Sequence, residues 1–568
     1  MDAFVQPLYE LADFDAIIRQ LKKPGIVQVS GCLDSQKAHF TNGLLREFPF
    51  RLIVAENDLK AKAFYEDFRL YDPEVLYYPA RDLIFYQADI HGNLLTRQRI
   101  QVLRALLERE EVTIVTSIDS CLDCLVPLAV WKEKVIKIRN DSEIDLDRMK
   151  RHLVELGYEW AAQVEVPGQF SIRGGIMDVF SLTEDNPWRI ELWGDEVDSI
   201  RSFDAESQRS IENLEEITIY PATEVVLDKE TIRQGIKAIE KEAQKSQKKF
   251  RDEMKTEEGA RVRQIAAELK DQLEEMEHIA GAESFVRYFY KKTESLLEYL
   301  PENTLVVIDE PNRLTEHAKT TEEEFRESMI HRLEKGYLLP GQMEVIRNHQ
   351  EVVHRFHQMH TLSLSTMEPR GTGWNFTMEM QLTVKSVNPY NNSFEMLVKD
   401  LLRWKKSGYR MLLLSPSRTR AARLAKDLQD QELSAFYSED PEELIQPGQI
   451  KVTWGRVSRG FEYPMVKYVV ISETDIFGKE KKKKRKKSQY SGKQIQSFSE
   501  LSVGDFVVHE NHGLGVYRGI EKMEVDGVVK DYIKIEYAGK SNLYILATQL
   551  DVLQKYAGSD AADRKSVV

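Results

Sequence analysis

Short apolar runs separated by helical patterns open the chain. Three such runs, at 25–30, 51–55 and 112–116, have the length and the β-branched content of buried strands. Strands that alternate with helices are typical of a parallel sheet with helices on its faces. The sequence therefore predicts that residues 1–128 begin an α/β domain.

Two insertions interrupt this α/β pattern. Residues 129–222 combine short strand-like runs with turn signals, which predicts a small inserted α+β domain. Residues 229–295 carry many charges at helical spacing, which predicts a long helical hairpin with solvated outer faces. The buried-strand pattern returns at 305–310, so we interpret residues 223–365 as the second part of the first domain.

A second α/β pattern occupies residues 366–478. Strand-like runs at 409–415, 450–454 and 466–471 are separated by a helical pattern and by turns. Within it, the stretch 454–464 resembles a helicase motif, which we interpret as scaffold.

A basic linker is predicted at residues 479–497. Its first part, 479–487, is almost all lysine and arginine, and its second part is polar. Such a run repels itself and stays extended, which favours a flexible linker. The alternative is that the same basic residues contact nucleic acid.

The last patterned block, residues 498–557, alternates apolar and polar positions at strand spacing. A strand is predicted at 506–508, and a hairpin is predicted from the runs 532–537 and 543–545. Three glycines between these elements predict tight reversals of the chain: Gly513, Gly515 and Gly519. The block is therefore expected to form a small SH3/Tudor-like β-barrel.

Composition narrows the class of protein. A chain of 568 residues with 42% hydrophobic residues can form several domains with cores of their own. A formal net charge of −14 argues against general coating of nucleic acid, so any such contact must be a local patch. Three cysteines fit a reducing compartment. No membrane span or signal peptide is visible, so a cytoplasmic protein is expected.

Two spacings typical of metal sites are incomplete in this chain. Cys121 and Cys124 have no second pair of ligands. His509 and His512 are one residue closer together than the histidines of a zinc helix, and they lie beside a glycine turn. We therefore expect no metal site.

The turn after the first strand departs from a nucleotide-binding loop. Such a loop reads Gly-x4-Gly-Lys-Ser/Thr, and the chain keeps its first glycine, Gly31, and its lysine, Lys37. Gln36 replaces the second glycine, and Ala38 replaces the hydroxyl residue that holds magnesium.

The pair Asp309 and Glu310 nevertheless ends a later strand, as the metal-coordinating acids of a Walker B strand do. The chain therefore keeps the acidic part of a nucleotide site but has lost its phosphate-binding loop. The combination predicts a degenerate RecA/helicase-like half with no catalytic residue.

The C-terminal block closely resembles the CarD-like RNA polymerase-interacting domain. The resemblance rests on the residues 504–519 and 531–545. It implies binding to the β subunit of RNA polymerase. We interpret 518–524 as an exposed edge strand that adds to a strand of the partner, with Met523 as apolar anchor and Ile520 and Lys522 beside it. The alternative places Met523 in the core of the barrel.

The layout of residues 1 to about 365 resembles UvrB, the damage-loading helicase of nucleotide excision repair. It resembles the transcription-repair coupling factor family (Mfd) more closely. The phosphate loop is degraded, and the stretch 77–86 is too short for the DNA-clamping hairpin of UvrB. Together with the CarD-like block, these features identify the chain as a member of that family, covering its four N-terminal domains.

The family resemblance implies two adaptor functions, docking of stalled RNA polymerase and recruitment of UvrA. The family's motor is an ATP-dependent DNA translocase. It uses ATP and magnesium and holds double-stranded DNA upstream of the polymerase. We expect the motor to be absent from this chain, whose last stretch, 558–568, is a short tail. No cofactor is therefore expected here.

The resemblance also implies a UvrA-binding face in the inserted domain. It falls on Arg173, on Arg189, and on Trp193, where the family has an aromatic residue. Two guanidinium groups beside an aromatic ring form a suitable hot spot for an acidic partner. The alternative is that Trp193 packs under its own sheet and that the arginines are ordinary strand-edge charges.

Two other functions fit the same chain. A UvrB-like ATP-dependent DNA helicase would use the Asp309-Glu310 pair. Gln36 and Ala38 speak against it, and a nucleotide titration distinguishes it. A CarD-type transcription regulator would use the first 480 residues as scaffold, and a UvrA pull-down distinguishes that one.

Overall fold

The computed structural model describes most of the chain. The described residues are 3–81, 93–274, 281–369, 373–478, 492–494, 504–509, 513–525, 528–536, 542–546 and 553–556. They belong to two compact units, one of residues 1–84 and 95–479 and one of residues 85–94 and 480–568, and each unit is described by itself.

The first part of the larger unit alternates strand and helix. Its helices are α1 (Gln6–Tyr9), α2 (Phe14–Leu21), α3 (Asp34–Asn42), α4 (Asp58–Phe68), α5 (Asn93–Glu108) and α6 (Ile118–Leu122). Its strands are β1 (Gly25–Ser30), β2 (Phe50–Ala55), β3 (Leu76–Tyr78) and β4 (Val112–Ser117). Nearly every strand residue is buried, as expected for a parallel sheet. The three predicted strands are confirmed.

The inserted segment folds into its own small sheet. Its helices are α7 (Leu128–Glu133) and α8 (Leu146–Glu155). Its strands are β5 (Ile136–Arg139), β6 (Glu159–Trp160), β7 (Gln169–Arg173), β8 (Ile176–Val179), β9 (Trp188–Trp193), β10 (Glu196–Phe203), β11 (Ser210–Leu214) and β12 (Glu216–Ile219). Six strands pair in the order β11-β10-β9-β8-β7-β6, and β5 pairs with β12. The predicted mixture of helix and short strands is confirmed.

A helical segment follows the insertion. It consists of α9 (Lys229–Asp252), α10 (Thr256–Glu274), a 3-10 turn (Ala282–Phe285), α11 (Val286–Phe289) and α12 (Leu296–Tyr299). The Asp228 side chain caps α9 by accepting a hydrogen bond from the Thr231 amide. Apolar side chains of α9 and α10, such as Ile239 and Leu269, are buried, while the charged faces are solvated. This is the predicted pair of long helices.

The chain then returns to the first sheet. The elements are β13 (Leu305–Asp309), α13 (Pro311–Glu334), a 3-10 turn (Pro340–Glu344), α14 (His349–Gln358), β14 (His360–Leu364) and β15 (Phe376–Gln381). The sheet order is β15-β1-β14-β13-β2-β4-β3, and every pair is parallel. The predicted return of the strand at 305–309 is confirmed.

The first sheet extends beyond residue 365, where the sequence analysis ended the domain. Strand β15 pairs with β1 over its whole length, and the Leu382 amide donates a hydrogen bond to the Ser30 carbonyl. Without β15, β1 would present an open edge. The pairing partner is distant in sequence, so local pattern assigns this strand to the following block.

The second α/β sheet packs against the first. Its elements are β16 (Lys385–Ser386), α15 (Phe394–Lys406), β17 (Arg410–Ser415), α16 (Arg418–Gln429), β18 (Ala435–Tyr437), β19 (Ile450–Trp454), β20 (Phe461–Tyr463), β21 (Tyr468–Ser472) and α17 (Glu473–Phe477). The order is β16-β20-β21-β17-β19-β18, with β21, β17, β19 and β18 parallel. One hydrophobic cluster joins Phe40 of the first domain to Leu412 and Phe461 of the second.

The smaller unit is an antiparallel sheet. Its strands are β22 (Gly492–Gln494), β23 (Phe506–His509), β24 (Gly513–Val525), β25 (Val528–Glu536), β26 (Asn542–Leu546) and β27 (Leu553–Tyr556), in the order β22-β27-β23-β24-β25-β26. The predicted hairpin is confirmed as β25 and β26.

The prediction that Gly515 and Gly519 mark reversals is wrong, because both lie within β24. Gly513 is the first residue of β24 and pairs with His509, the last residue of the antiparallel strand β23, so it lies where the chain has just reversed. Gly519 has a φ of 106° and lies where the register with β25 slips after Tyr517. That is a β-bulge, which a glycine accommodates because it has no Cβ atom.

Among the described residues, no helix is both long and apolar enough to cross a membrane.

Candidate partner-binding surfaces and the degenerate nucleotide site

The residues of the degenerate nucleotide loop come together with the acids at the end of β13. Lys37, in the first turns of α3, is 2.6 Å from Asp309 through Nζ and Oδ1, and 2.6 Å from Glu310 through Nζ and Oε1. The Lys37 side chain is only 1% exposed. One buried ammonium group is therefore held by two carboxylates.

The charges of this cluster shift one another's pKa. Burial alone would lower the pKa of Lys37, but the charges of Asp309 and Glu310 outweigh it and hold that pKa above its ordinary value. Burial raises the pKa of Asp309. For Glu310 the attraction of Lys37 outweighs burial and lowers the pKa. The arrangement keeps Lys37 charged and paired.

Gln36 replaces the second glycine of the loop, and both its side-chain oxygen and its side-chain nitrogen form hydrogen bonds. Its Oε1 accepts a hydrogen bond from the Leu33 amide at 3.1 Å, and its Nε2 donates to Tyr463 Oη at 2.8 Å. Tyr463 Oη lies 3.1 Å from His39 Nδ1, and His39 Nε2 lies 2.7 Å from the Phe4 carbonyl. Because a carbonyl only accepts, Nε2 carries the proton and Nδ1 accepts from Tyr463.

His39 is fully enclosed in this chain of hydrogen bonds. Burial lowers the pKa of His39 to about 4. The imidazole is therefore neutral at physiological pH, which the hydrogen-bond pattern requires.

The helicase-like stretch 454–464 covers the start of α3. Ser458 donates from its amide and its hydroxyl to the Asp67 carboxylate, at 2.6 and 2.8 Å. Ser35 Oγ lies 2.7 Å from Ser458 Oγ and accepts a hydrogen bond from the Arg459 amide. These contacts hold the stretch against the start of α3 and engage the hydroxyl group of Ser35 in the degenerate loop.

The backbone around Gly31 is equally crowded. Gly31 has a φ of 81°, and a Cβ atom there would lie 2.2 Å from the Leu382 carbonyl oxygen. Ala38 is fully buried and brings no hydroxyl group. Gly31 therefore serves the junction between β1 and β15.

In the inserted sheet, side chains alternate between an apolar and a polar face. Register pairing aligns Ile172, Met177, Ile190 and Ile200 in one row, whose last three members are fully buried. The adjacent rows place Arg173, Arg189 and Trp193 on the opposite face, because neighbouring residues of a strand point to opposite sides. The three predicted UvrA-binding residues thus share one face, called the polar face below.

Asp178 organises the arginines of the polar face. Arg189 donates to both Asp178 carboxylate oxygens, at 2.7 and 2.9 Å, and its guanidinium lies 4.4 Å from the ring centroid of Phe203. Arg173 donates to Asp178 Oδ2 at 2.9 Å and remains half exposed. The carboxylate itself is buried. Arg189 is therefore a structural residue, and Arg173 is open to solvent.

Trp193 is 85% exposed at the end of β9. The alternative that it packs under its own sheet is wrong. Sequence reasoning missed Asp178, although an acid five residues after Arg173, beyond the glycine pair Gly174-Gly175, is the available signal.

Among the described residues, one edge of strand β24 is paired over only part of its length. Strand β23 pairs only with Gly513–Val516, and Tyr517 bonds to Gly504 and Asp505. From residue 518 to 525 the described residues supply a partner, β25, on one side only. Ile520 is 43% exposed there. The side chains of Lys522 and Met523 lie outside the described residues.

Comparisons with known proteins agree with this layout. The UvrB interaction domain family matches residues 136–225, and the CarD-like/TRCF RID domain family matches residues 501–557. The chain is thus a multidomain protein that combines these two modules with α/β sheets.

Similar proteins extend the likeness along the whole chain. The transcription-repair-coupling factor of Bacillus subtilis (strain 168) is 33% identical over 573 residues, which cover 100% of this chain and 48% of that protein. The transcription-repair-coupling factor of Staphylococcus haemolyticus (strain JCSC1435) is 29% identical over 94% of this chain and 45% of that protein. The chain belongs to the transcription-repair coupling factor family, and it spans about half the length of the curated relatives that it matches.

Proposed function

We propose that this chain is a bacterial, cytoplasmic adaptor in transcription-coupled DNA repair. It binds UvrA through the polar face of the inserted domain and the β subunit of RNA polymerase through the edge of β24. The observation that carries the proposal is the polar face itself, where the exposed ring of Trp193 accompanies the half-exposed Arg173. A large exposed aromatic ring and an exposed arginine on the same face are the composition of an interface hot spot.

The UvrA contact is tested by alanine substitutions on the polar face. Trp193→Ala and Arg173→Ala should each weaken UvrA binding by about thirty-fold, since hot-spot truncations cost on the order of 2 kcal/mol. Arg189→Ala should lower both the melting temperature and the affinity, because Arg189 binds the buried Asp178. Calorimetric titration of purified UvrA gives the affinities, and circular dichroism gives the melting temperatures.

Trp160→Ala is the matched control for Trp193→Ala. Trp160 is 57% exposed in the same domain, and its register partner is Phe170 of the apolar face. Its replacement should leave UvrA binding unchanged. If Trp193→Ala binds UvrA as well as the parent chain does, the polar face is not the UvrA-binding face.

The polymerase contact is tested at Ile520. Strand addition draws affinity from backbone hydrogen bonds and specificity from outward side chains, so an acidic residue on the free edge disturbs docking without entering a core. Ile520→Glu should keep the circular dichroism spectrum of the parent and lose at least about ten-fold in affinity for the polymerase β subunit. Ile211→Glu, at an apolar residue of similar exposure in β11, is the control. Equal binding by Ile520→Glu and the parent would exclude this edge.

We also propose that the chain neither binds nor hydrolyses ATP. The engaged state of Gln36, the burial of Ala38 and the double pairing of Lys37 support this proposal. The same contacts weigh against the helicase alternative. The match to a UvrB interaction domain weighs against a pure transcription regulator, because such a regulator has no use for the module at 136–225.

A further inference from the structure

The carboxyl edge of the second α/β sheet presents arginines around an exposed indole ring. Parallel strands β17, β19 and β21 end together at this edge, where α/β sheets bind their ligands. The side chains concerned are named here the arginine–tryptophan edge, and they are Arg418, Arg420, Trp454, Arg456 and Arg459. Neither of the two matched domain families reaches these residues.

Trp454 supplies a stacking surface at a fixed position. It is the last residue of β19, in register with Ser415 of β17, and it is 49% exposed. The Arg418 guanidinium lies over its ring, 5.3 Å from the ring centroid. A tryptophan held on a strand end beside an arginine is preorganised for a planar partner.

The stretch after Trp454 is held rigidly along the edge. The Ser472 hydroxyl donates to the Val457 carbonyl at 2.7 Å, and the Gly460 amide donates to the Asp475 carboxylate at 2.7 Å. The contacts of Ser458 with Asp67 pin the same stretch from the other side. Arg456 and Arg459 therefore project from a fixed backbone.

The charge of this edge is locally positive in an acidic chain. Arg418 pairs with Glu439 at 2.9 Å, and Arg420 pairs with Glu473 at 3.0 Å. Arg456 and Arg459 are exposed and form no ion pair with any residue that the structure describes. Four arginines thus face three carboxylates, because the charge of Asp475 also interacts with that of Arg459, while the chain as a whole has a net charge of −14. The excess fits an anionic partner.

We propose that the arginine–tryptophan edge binds single-stranded nucleic acid, with a base stacked on Trp454 and phosphates on the arginines. Arginines alone would suit any polyanion. An exposed ring among them favours a partner that carries both planar groups and negative charge. In a duplex the bases are already stacked on each other, so an unpaired strand is the form that offers a base to the ring.

The test compares two oligonucleotides with the same number of phosphates. One is a fluorescent oligothymidylate of about twenty residues, and the other is an abasic strand of that length. The full chain should bind the thymidylate about ten-fold more tightly by anisotropy, because stacking on an aromatic residue adds to the phosphate contacts. Trp454→Ala should abolish this preference, and Trp454→Phe should keep most of it.

The arginines are tested through the dependence of affinity on salt. Arg456→Ala and Arg459→Ala should each weaken binding of both strands and reduce the slope of log affinity against log salt by about 0.7. Arg403→Ala is the control, since the Arg403 guanidinium also lies over an indole, that of Trp404, which is buried. Its slope should stay that of the parent.

Any binding of polyanions by the basic stretch 479–487 would be independent of bases, so it would contribute equally to both strands. The difference between the strands therefore isolates Trp454. The proposal fails if the parent shows no preference for the thymidylate, if Trp454→Ala retains it, or if polyglutamate competes as well as the thymidylate does. Circular dichroism of each variant should match the parent, because every replaced side chain is exposed.

Discussion

Replacing Lys37 with alanine should destabilise the chain by about 3–5 kcal/mol. The variant leaves Asp309 and Glu310 next to each other without their cation, and breaking one partner out of a buried ion pair costs that much. Urea unfolding followed by circular dichroism measures the loss.

Lys60→Ala is the control for this prediction. Lys60 Nζ lies 3.5 Å from Asp34, and both side chains are exposed, so the pair contributes at most about 1 kcal/mol. A functioning nucleotide site would give the opposite result for Lys37. Its lysine would be needed for ATP turnover, and Lys37→Ala would abolish turnover with little loss of stability. That outcome would revive the helicase alternative.

The sequence predicted the loss of the nucleotide-binding motif but not the new contacts of its residues. The missing glycine at Gln36 and the missing hydroxyl at Ala38 are local facts, so the loss of the motif could be predicted. The new role of Gln36 could not. Its partner Tyr463 is more than four hundred residues away in sequence, and no local pattern predicts a hydrogen bond between two domains.

Strands whose own residues carry the signal could be predicted from the sequence, whereas features that depend on pairing with a distant strand could not. Buried strands such as β1 and β13 have short, mostly apolar runs, which a local pattern detects. Strand β15 alternates half-buried and exposed residues, and only its pairing with β1 assigns it to the first sheet. In β24, the glycines signalled turns by composition, although pairing with β23 up to Val516 and with β25 from Val516 onward keeps the chain extended.

The candidate surfaces show a similar division. The positions of Arg173 and Trp193 on one face follow from strand alternation once the register is known. The different roles of Arg173, which is open to solvent, and Arg189, which is structural, depend on Asp178, which binds both. Two arginines of the same type thus have different exposure because one buried carboxylate holds one of them with two bonds.

The neutral state of His39 should make stability depend on pH. Burial holds the pKa of His39 at about 4 in the folded chain, whereas an exposed histidine has a pKa of about 6.5. Below pH ~6.5 the unfolded chain takes up a proton that the folded chain refuses. The contribution of His39 is therefore fully present above that pH, and about 3 kcal/mol is lost as the pH falls to about 4.

His39→Gln isolates this contribution from that of the other titratable groups. The amide keeps a donor and an acceptor for Phe4 and Tyr463 but does not titrate between pH 4 and 7. The difference in unfolding free energy between parent and variant, measured by urea titration, should change by about 3 kcal/mol over that range, in favour of the variant at low pH. Parallel pH profiles would mean that the imidazole can take up a proton in place. The hydrogen-bonded chain from Gln36 to Phe4 would then tolerate a charge, and the junction between the two α/β domains would be looser than these contacts imply.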